Sequence, residues 1–215
     1  MKFRIAAMAV LATAALTGCK HTGDIVVQEG VGITALRSVC PAVGVPDYTG
    51  DVTLFNPPAA RTAEAIDVTA TITNVHTTCN DTEPKVYAVA NFDVYAQRRD
   101  PRGARTVTLP FFTTVVRGGD AVTAKRVGTV TLNFADGQAR AHATAAGAAY
   151  IDKTEATLPD EIKQRITRKR KSGEADAAVD PLSEPDVKAA LARASFELLV
   201  GFQLTNDQLA YNATR

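Results

Sequence analysis

Hydrophobic and polar positions alternate with period two through the middle of this chain. In AIDVTATITNV, Ile66, Val68, Ala70 and Ile72 interleave with Asp67, Thr69, Thr71 and Thr73. That period, with β-branched residues throughout, predicts a half-buried strand. KVYAVANFDVYAQ repeats the pattern, with Val86, Ala88, Ala90, Phe92 and Val94 on one face and Tyr87, Val89, Asn91, Asp93 and Tyr95 on the other. RTVTLPFFTTVV predicts a third strand, in which Pro110 indicates an edge position or a bulge. After the turn Arg117-Gly118-Gly119-Asp120, VTAKRVGTVTLNF predicts a fourth, with Val130, Leu132 and Phe134 pointing one way. Ala135-Asp136-Gly137-Gln138 predicts a type I′ hairpin. It leads into ARAHATAAGAAYI as a fifth strand, whose alanines make its signal the weakest of the set. Upstream, Val52 to Phe55 ends at Pro57-Pro58, which blocks regular structure.

The pattern changes after Tyr150. Thr157-Leu158-Pro159-Asp160 reads as a helix start, with Thr as cap and Pro at the first helical position. Leu158, Ile162 and Ile166 then recur every fourth residue, predicting a helix near 159–170. A polar stretch near 171–183 reads as a flexible loop. Ser183-Glu184-Pro185-Asp186 opens a second helix near 186–194. In FELLVGFQL, Phe196, Leu198, Val200, Phe202 and Leu204 alternate strictly. Together with Gly201 this favours a strand, although a helix continued from residue 186 also buries Leu191, Ala194, Leu198 and Phe202. Thr205 caps a short helix near 206–212. Strands joined by short turns, without βαβ alternation, argue for a mainly β, antiparallel sandwich of immunoglobulin-like or fibronectin-III-like kind with C-terminal helical additions. A true immunoglobulin signature is missing, since the chain contains no Trp.

The N-terminal segment is of another kind. Lys2 and Arg4 precede a twelve-residue apolar run from Ile5 to Leu16, short for a bilayer span. Leu16-Thr17-Gly18-Cys19 follows, and this segment resembles the lipobox signal of bacterial lipoproteins. The resemblance implies that residues 1–18 are removed, that Cys19 is acylated, and that Lys20 sorts the protein to the outer membrane, facing the periplasm. Residues 19–46 then read as a tether, with Ile25 to Gln28 as a short strand, and 47–215 as a single domain. Cys40 and Cys79 remain. An even pair in an exported chain points to a disulfide closing a loop of about 40 residues, worth roughly 4 kcal/mol in the chain-entropy treatment. Two buried free thiols are the other reading.

Charge and motifs narrow the chemistry. The net charge of +1 gives no overall pull toward nucleic acid. Aromatic residues make up 6% of the chain, too few for a large stacking platform. There is no G-x-S-x-G elbow, P-loop or H-E-x-x-H. His76 and Cys79 form half a metal site at most, so no metal or cofactor is expected. His21, His76 and His142 read as tether or strand-surface residues. Asp93 and Glu155 read as isolated carboxylates, and the sequons at Asn80 and Asn212 mean little in a bacterial lipoprotein. Two basic clusters stand out: Arg98, Arg99, Arg102 and Arg105 in an expected hairpin loop, and Lys163, Arg165, Arg168, Lys169, Arg170 and Lys171 on and after a helix. The plain reading is solvated surface. The sharper one is attraction to an anionic envelope partner. These features predict a lipid-anchored, non-enzymatic envelope protein that binds or scaffolds another envelope component. A module for a small ligand, peptidoglycan or lipopolysaccharide is the alternative, and an enzyme or enzyme inhibitor without a readable motif is a third.

Overall fold

The computed structural model describes residues 35 and 37–214. Residues 1–18, read from sequence as a signal segment, together with Cys19, Lys20, His21 and the short strand expected at Ile25 to Gln28, lie outside the described residues. Residues 37–168 and 180–214 belong to one compact unit, and residues 169–179 to a second.

The strand order in the larger unit is β1 (Ala42–Gly44), β2 (Asp51–Phe55), β3 (Ile66–Asn80), β4 (Lys85–Arg98), β5 (Arg105–Arg117), β6 (Ala121–Phe134), β7 (Arg140–Asp152) and β8 (Phe196–Phe202). Four helices accompany them: α1 (Lys153–Ala156), α2 (Asp160–Thr167), α3 (Pro185–Ala194) and α4 (Asn206–Thr214). Two four-stranded sheets result, ordered β1-β8-β5-β6 and β2-β3-β4-β7. All neighbours are antiparallel except β1 and β8. The chain is thus mainly β, with a few C-terminal helices. β1 lies within the stretch read from sequence as tether, so the fold begins earlier than residue 47.

Both sheets bury their apolar faces in one core. On β4 the predicted alternation is realised position for position: Val86, Ala88, Ala90, Phe92, Val94 and Ala96 are all buried. Phe92 meets Phe111 of the opposite sheet edge-on, with ring centroids 5.1 Å apart. The alanine-rich β7 is a full strand, paired with β4 from Gln97↔Arg140 to Lys85↔Asp152. β8 is a strand as expected, inserted between β1 and β5, with Phe196, Leu198, Val200 and Phe202 buried. A smaller core forms where Leu158, Ile162 and Ile166 pack with Val187, Ala190 and Ala194 of α3.

β3 changes phase midway. Its register against β4 shifts between Thr73 and His76, where Asn74 adopts a φ of 51°. The bulge absorbs one extra residue, a geometry Asn tolerates well. Even-numbered Val68, Ala70 and Ile72 are buried before it, and odd-numbered Val75 and Cys79 pack against the core after it. Cys79 is thereby joined to Cys40 in a disulfide.

Several local expectations are corrected. Asp136-Gly137 does not make a hairpin: β6 pairs with β5 and β7 with β4, so the turn carries the chain from one sheet to the other. Only Gly137 takes a positive φ there, at 77°, whereas a type I′ turn needs both central residues in that region. Residues 99–104 likewise connect β4 and β5 across sheets instead of closing a hairpin. Turn chemistry reports that a chain reverses, and says nothing of which sheet the next strand joins.

Pro110 lies in an interior strand, yet beyond the last β8 partner at Phe111↔Phe202. Its carbonyl accepts from Gln203 N at 2.9 Å, and its missing N–H falls where that ladder ends. Thr157 does not cap α2. Its hydroxyl donates back to the Lys153 carbonyl at 2.6 Å, closing α1. α2 starts at Asp160 and stops at Thr167, short of residue 170. Residues 181–183 of the expected loop form a 3-10 turn whose cap, Asp180, accepts from Leu182 N. Thr205 caps α4 as expected: its hydroxyl accepts from Gln208 N while Gln208 Oε1 accepts from Thr205 N.

Candidate functional site

The first basic cluster disperses into the fold. Arg98 is 2% exposed and spends its guanidinium on the carbonyls of Gln138, Gly103, Pro101 and Ala135, so it is removed from the candidate partner-binding surface. Arg99 donates to the Ala63 and Glu64 carbonyls. Arg102 forks onto Asp100 of its own loop, and the hydrogen bonds from Arg102 hold that carboxyl well below the usual carboxylate range. Arg105 forks onto Asp67 at 2.6 and 2.7 Å. Aspartates and backbone carbonyls therefore take up these charges within the chain.

The second cluster is divided as well. Lys163, Arg165 and Arg168 lie on α2 and its C-cap, whereas Lys169, Arg170 and Lys171 belong to the smaller unit. Arg170 is buried, with Nε 3.4 Å from Asp176. Arg168, Lys169 and Lys171 are exposed. Arg165 bridges to Asp186 at 2.7 Å and Glu184 at 2.8 Å, acids at the start of α3, and to Glu161 at 3.5 Å. The bridge staples α2 to α3 and places acids where the helix dipole favours them.

The Arg165 hydrogen bond lowers the Asp186 pKa. A carboxylate whose folded pKa is lowered contributes stability that is present above its unfolded pKa and lost as pH falls through the folded value. Arg165→Gln is therefore expected to flatten the acid limb of the stability profile below about pH 4. Urea midpoints measured from pH 2 to 7 check this, and parallel wild-type and variant profiles would refute it.

The two carboxylates read as isolated have partners. On the outer face of the β2-β3-β4-β7 sheet, Asp93 Oδ2 accepts from Asn74 Nδ2 at 2.9 Å, and Asp93 Oδ1 lies 3.4 Å from His142 Nε2. His76 Nδ1 lies 2.8 Å from the Asn74 carbonyl, and the His142 ring lies against Tyr95 with centroids 4.5 Å apart. The Asn74 hydrogen bond, with help from His142, lowers the Asp93 pKa. Glu155 sits 3.5 Å from Arg117. Among the described residues no group of three His, Cys, Asp or Glu side chains is placed to hold a metal.

One lysine of the second cluster does reach a concave site. A cavity of about 480 Å³ lies between the stretch preceding β1 and the α1–α2 corner. Val39, Ala156, Leu158 and Ile166 supply apolar wall, and Arg37 and Lys163 supply charge. Arg37 Nη2 donates to Ser195 Oγ at 2.7 Å and the Ala194 carbonyl at 3.3 Å, which fixes the guanidinium. Desolvation lowers the Arg37 pKa. Among the described residues lining the cavity, Arg37 and Lys163 carry charge and none is Asp, Glu, His or Cys. Arg37 escapes sequence reading because it stands alone in a stretch that looks like tether. The burial of Leu158 and Ile166 is legible from their spacing; the opposite wall is not. No family model matches the chain, and no curated protein or solved structure matches it.

Proposed function

We propose that this chain is a lipid-anchored, non-enzymatic protein of the bacterial cell envelope whose β body binds another envelope component. The reading starts from Leu16-Thr17-Gly18-Cys19, with acylated Cys19 as the anchor and Lys20 directing the protein to the outer membrane, facing the periplasm. Several acyl chains on one residue give firm attachment, since each buried CH₂ contributes about 0.8 kcal/mol. The body is read as an immunoglobulin-like or fibronectin-III-like sandwich in architecture, with a strand order of its own. Three consecutive strands, β2, β3 and β4, lie side by side, whereas the immunoglobulin order divides such runs between sheets.

The observation that carries the reading is the Cys40–Cys79 disulfide. Such bonds persist in oxidising compartments and are rare in the cytosol of mesophiles, so the pair supports export. It also ties Cys40, just before β1, to Cys79 on β3. A second reading, a module for a small ligand, peptidoglycan or lipopolysaccharide, is favoured by the cavity that presents Arg37 and Lys163.

Cys19→Ser is expected to leave an unlipidated precursor and to move the protein out of the outer-membrane fraction. Mass analysis and membrane fractionation check both points. A variant that fractionates with the outer membrane as wild type does overturns the lipid anchor.

A further inference from the structure

The outer face of the β2-β3-β4-β7 sheet carries three exposed tyrosines, Tyr87, Tyr95 and Tyr150. Val94 and Ala96 are buried, so Tyr95 and Gln97 point outward, and strand register places them in two rows. Thr69, Gln97 and Arg140 stand side by side on β3, β4 and β7, and Thr71, Tyr95 and His142 form the next row. A groove of about 340 Å³ opens across these rows. Two residues along a strand and three strands across make a patch of roughly 7 by 10 Å, the footprint of one sugar ring. Tyr95 is 54% exposed and lines the groove, while His142 braces its ring at 4.5 Å between centroids. Thr69, Thr71, Gln97 and Arg140 make no side-chain hydrogen bond or ion pair among the described residues. Arg140 is the one charged group among the described residues lining the groove.

We propose that this groove binds a sugar bearing a carboxylate, with its C–H face on the Tyr95 ring, its hydroxyls on Gln97, Thr69 and Thr71, and its carboxylate on Arg140. The guanidinium fork matches a carboxylate, and hydroxyls both donate to and accept from an amide and two threonines. The aromatic ring supplies the apolar contact that a bare anion leaves unused. A neutral sugar leaves Arg140 unpaired. A protein partner is the poorer occupant, because a protein interface calls for an apolar centre within a polar rim. Here a single ring is set among polar groups, and the next row is Thr73, Asp93 and Thr144. The site goes beyond the ligand-binding reading above, whose cavity lies elsewhere, and depends neither on that reading nor on the anchor.

The test uses the full chain and ligand-observed NMR titration. Glucuronate, galacturonate and N-acetylmuramate are the acidic probes. Glucose, galactose and N-acetylglucosamine are their neutral counterparts, and glutarate is an acid without a sugar. Saturable binding of at least one sugar acid is expected, about tenfold tighter than its neutral counterpart, with glutarate weaker still. Arg140→Gln should abolish the preference for the acid, while Tyr95→Ala should weaken acid and neutral sugar alike, by about tenfold. Tyr150→Ala, on the same face but outside the groove, should leave the affinities unchanged. All three positions are exposed, and thermal unfolding recorded alongside shows that the fold is intact. The Cys19→Ser chain, titrated beside wild type, is expected to give the same affinities, so the readout does not depend on acylation. Absence of binding by every sugar acid overturns the proposal, as does binding that survives both Tyr95→Ala and Arg140→Gln. Glutarate binding as tight as that of the sugar acids also overturns it and marks an acidic peptide as the ligand.

Discussion

Arg98→Ala is expected to cost about 4 kcal/mol of unfolding free energy, the largest effect among the cationic positions, because it removes a buried side chain together with its four charge-assisted hydrogen bonds, each worth about 1 kcal/mol. The guanidinium donates from Nε to the Gln138 carbonyl at 2.9 Å, from Nη1 to Gly103 at 2.7 Å, and from Nη2 to Pro101 at 2.5 Å and Ala135 at 2.9 Å. Two of those acceptors lie on the β4–β5 crossover and two on the β6–β7 crossover. The side chain also lies over the Phe134 ring, 5.2 Å from its centroid. One residue thus ties together both places where the chain changes sheet. Lysine is not a substitute, since a single ammonium on a flexible stem lacks the fork that meets acceptors in several directions.

For a domain of this size, a loss of about 4 kcal/mol corresponds to a fall in Tm of roughly 10 °C. Arg102→Ala is the internal control. Its side chain is 88% exposed and paired only within its own loop, so its cost is expected within about 0.5 kcal/mol of zero. Urea unfolding of both variants decides the matter. An Arg98→Ala variant as mild as Arg102→Ala would show that the buried guanidinium is not the clasp between the crossovers.

Gly147→Ala is expected to destabilise by about 3 kcal/mol, toward the upper part of the usual overpacking range. Gly147 sits on β7 opposite Ala90 of β4 and faces the other sheet. A Cβ there would lie 1.9 Å from Thr113 Oγ1 and 2.8 Å from Thr113 Cβ. Rotating the threonine relieves the first contact but not the second, and Thr113 is itself buried. Replacing Gly in a strand otherwise gains up to about 1 kcal/mol through reduced chain entropy. Steric conflict outweighs that gain here. The decisive measurement is a double-mutant cycle: Thr113→Gly in the Gly147→Ala background should recover at least about 1 kcal/mol relative to additivity, because it removes every atom in conflict. Strict additivity, or a near-neutral Gly147→Ala, would mean that the sheets separate locally without cost.

The alternation on β4 was legible in full because strand faces follow from backbone period, a property of neighbouring residues. The Thr205 cap and the Leu158–Ile162–Ile166 face were legible for the same reason. Legibility ended where partners come from far along the chain. Arg98 and Arg102 sit in one run of arginines with nothing local to separate them, yet one is the most buried charge described and the other among the most exposed. Asp93 looked isolated because His142, with which it pairs, comes from β7, and the pairing depends on the β4–β7 register. The cavity was half legible: Lys163 was singled out within a basic run, while Arg37 was hidden in apparent tether.

What this sequence determined by itself is the set of local periodicities and caps, and the Leu16-Thr17-Gly18-Cys19 motif on which the proposed anchor rests. Only the tertiary structure decided which sheet each strand joins, where β3 changes phase so that Cys79 reaches Cys40, which arginine is desolvated, and which lysine meets a cavity. The division has a physical origin. Backbone period and capping are written over a few residues, whereas desolvation and pairing depend on atoms that the sequence keeps far apart and the fold brings together.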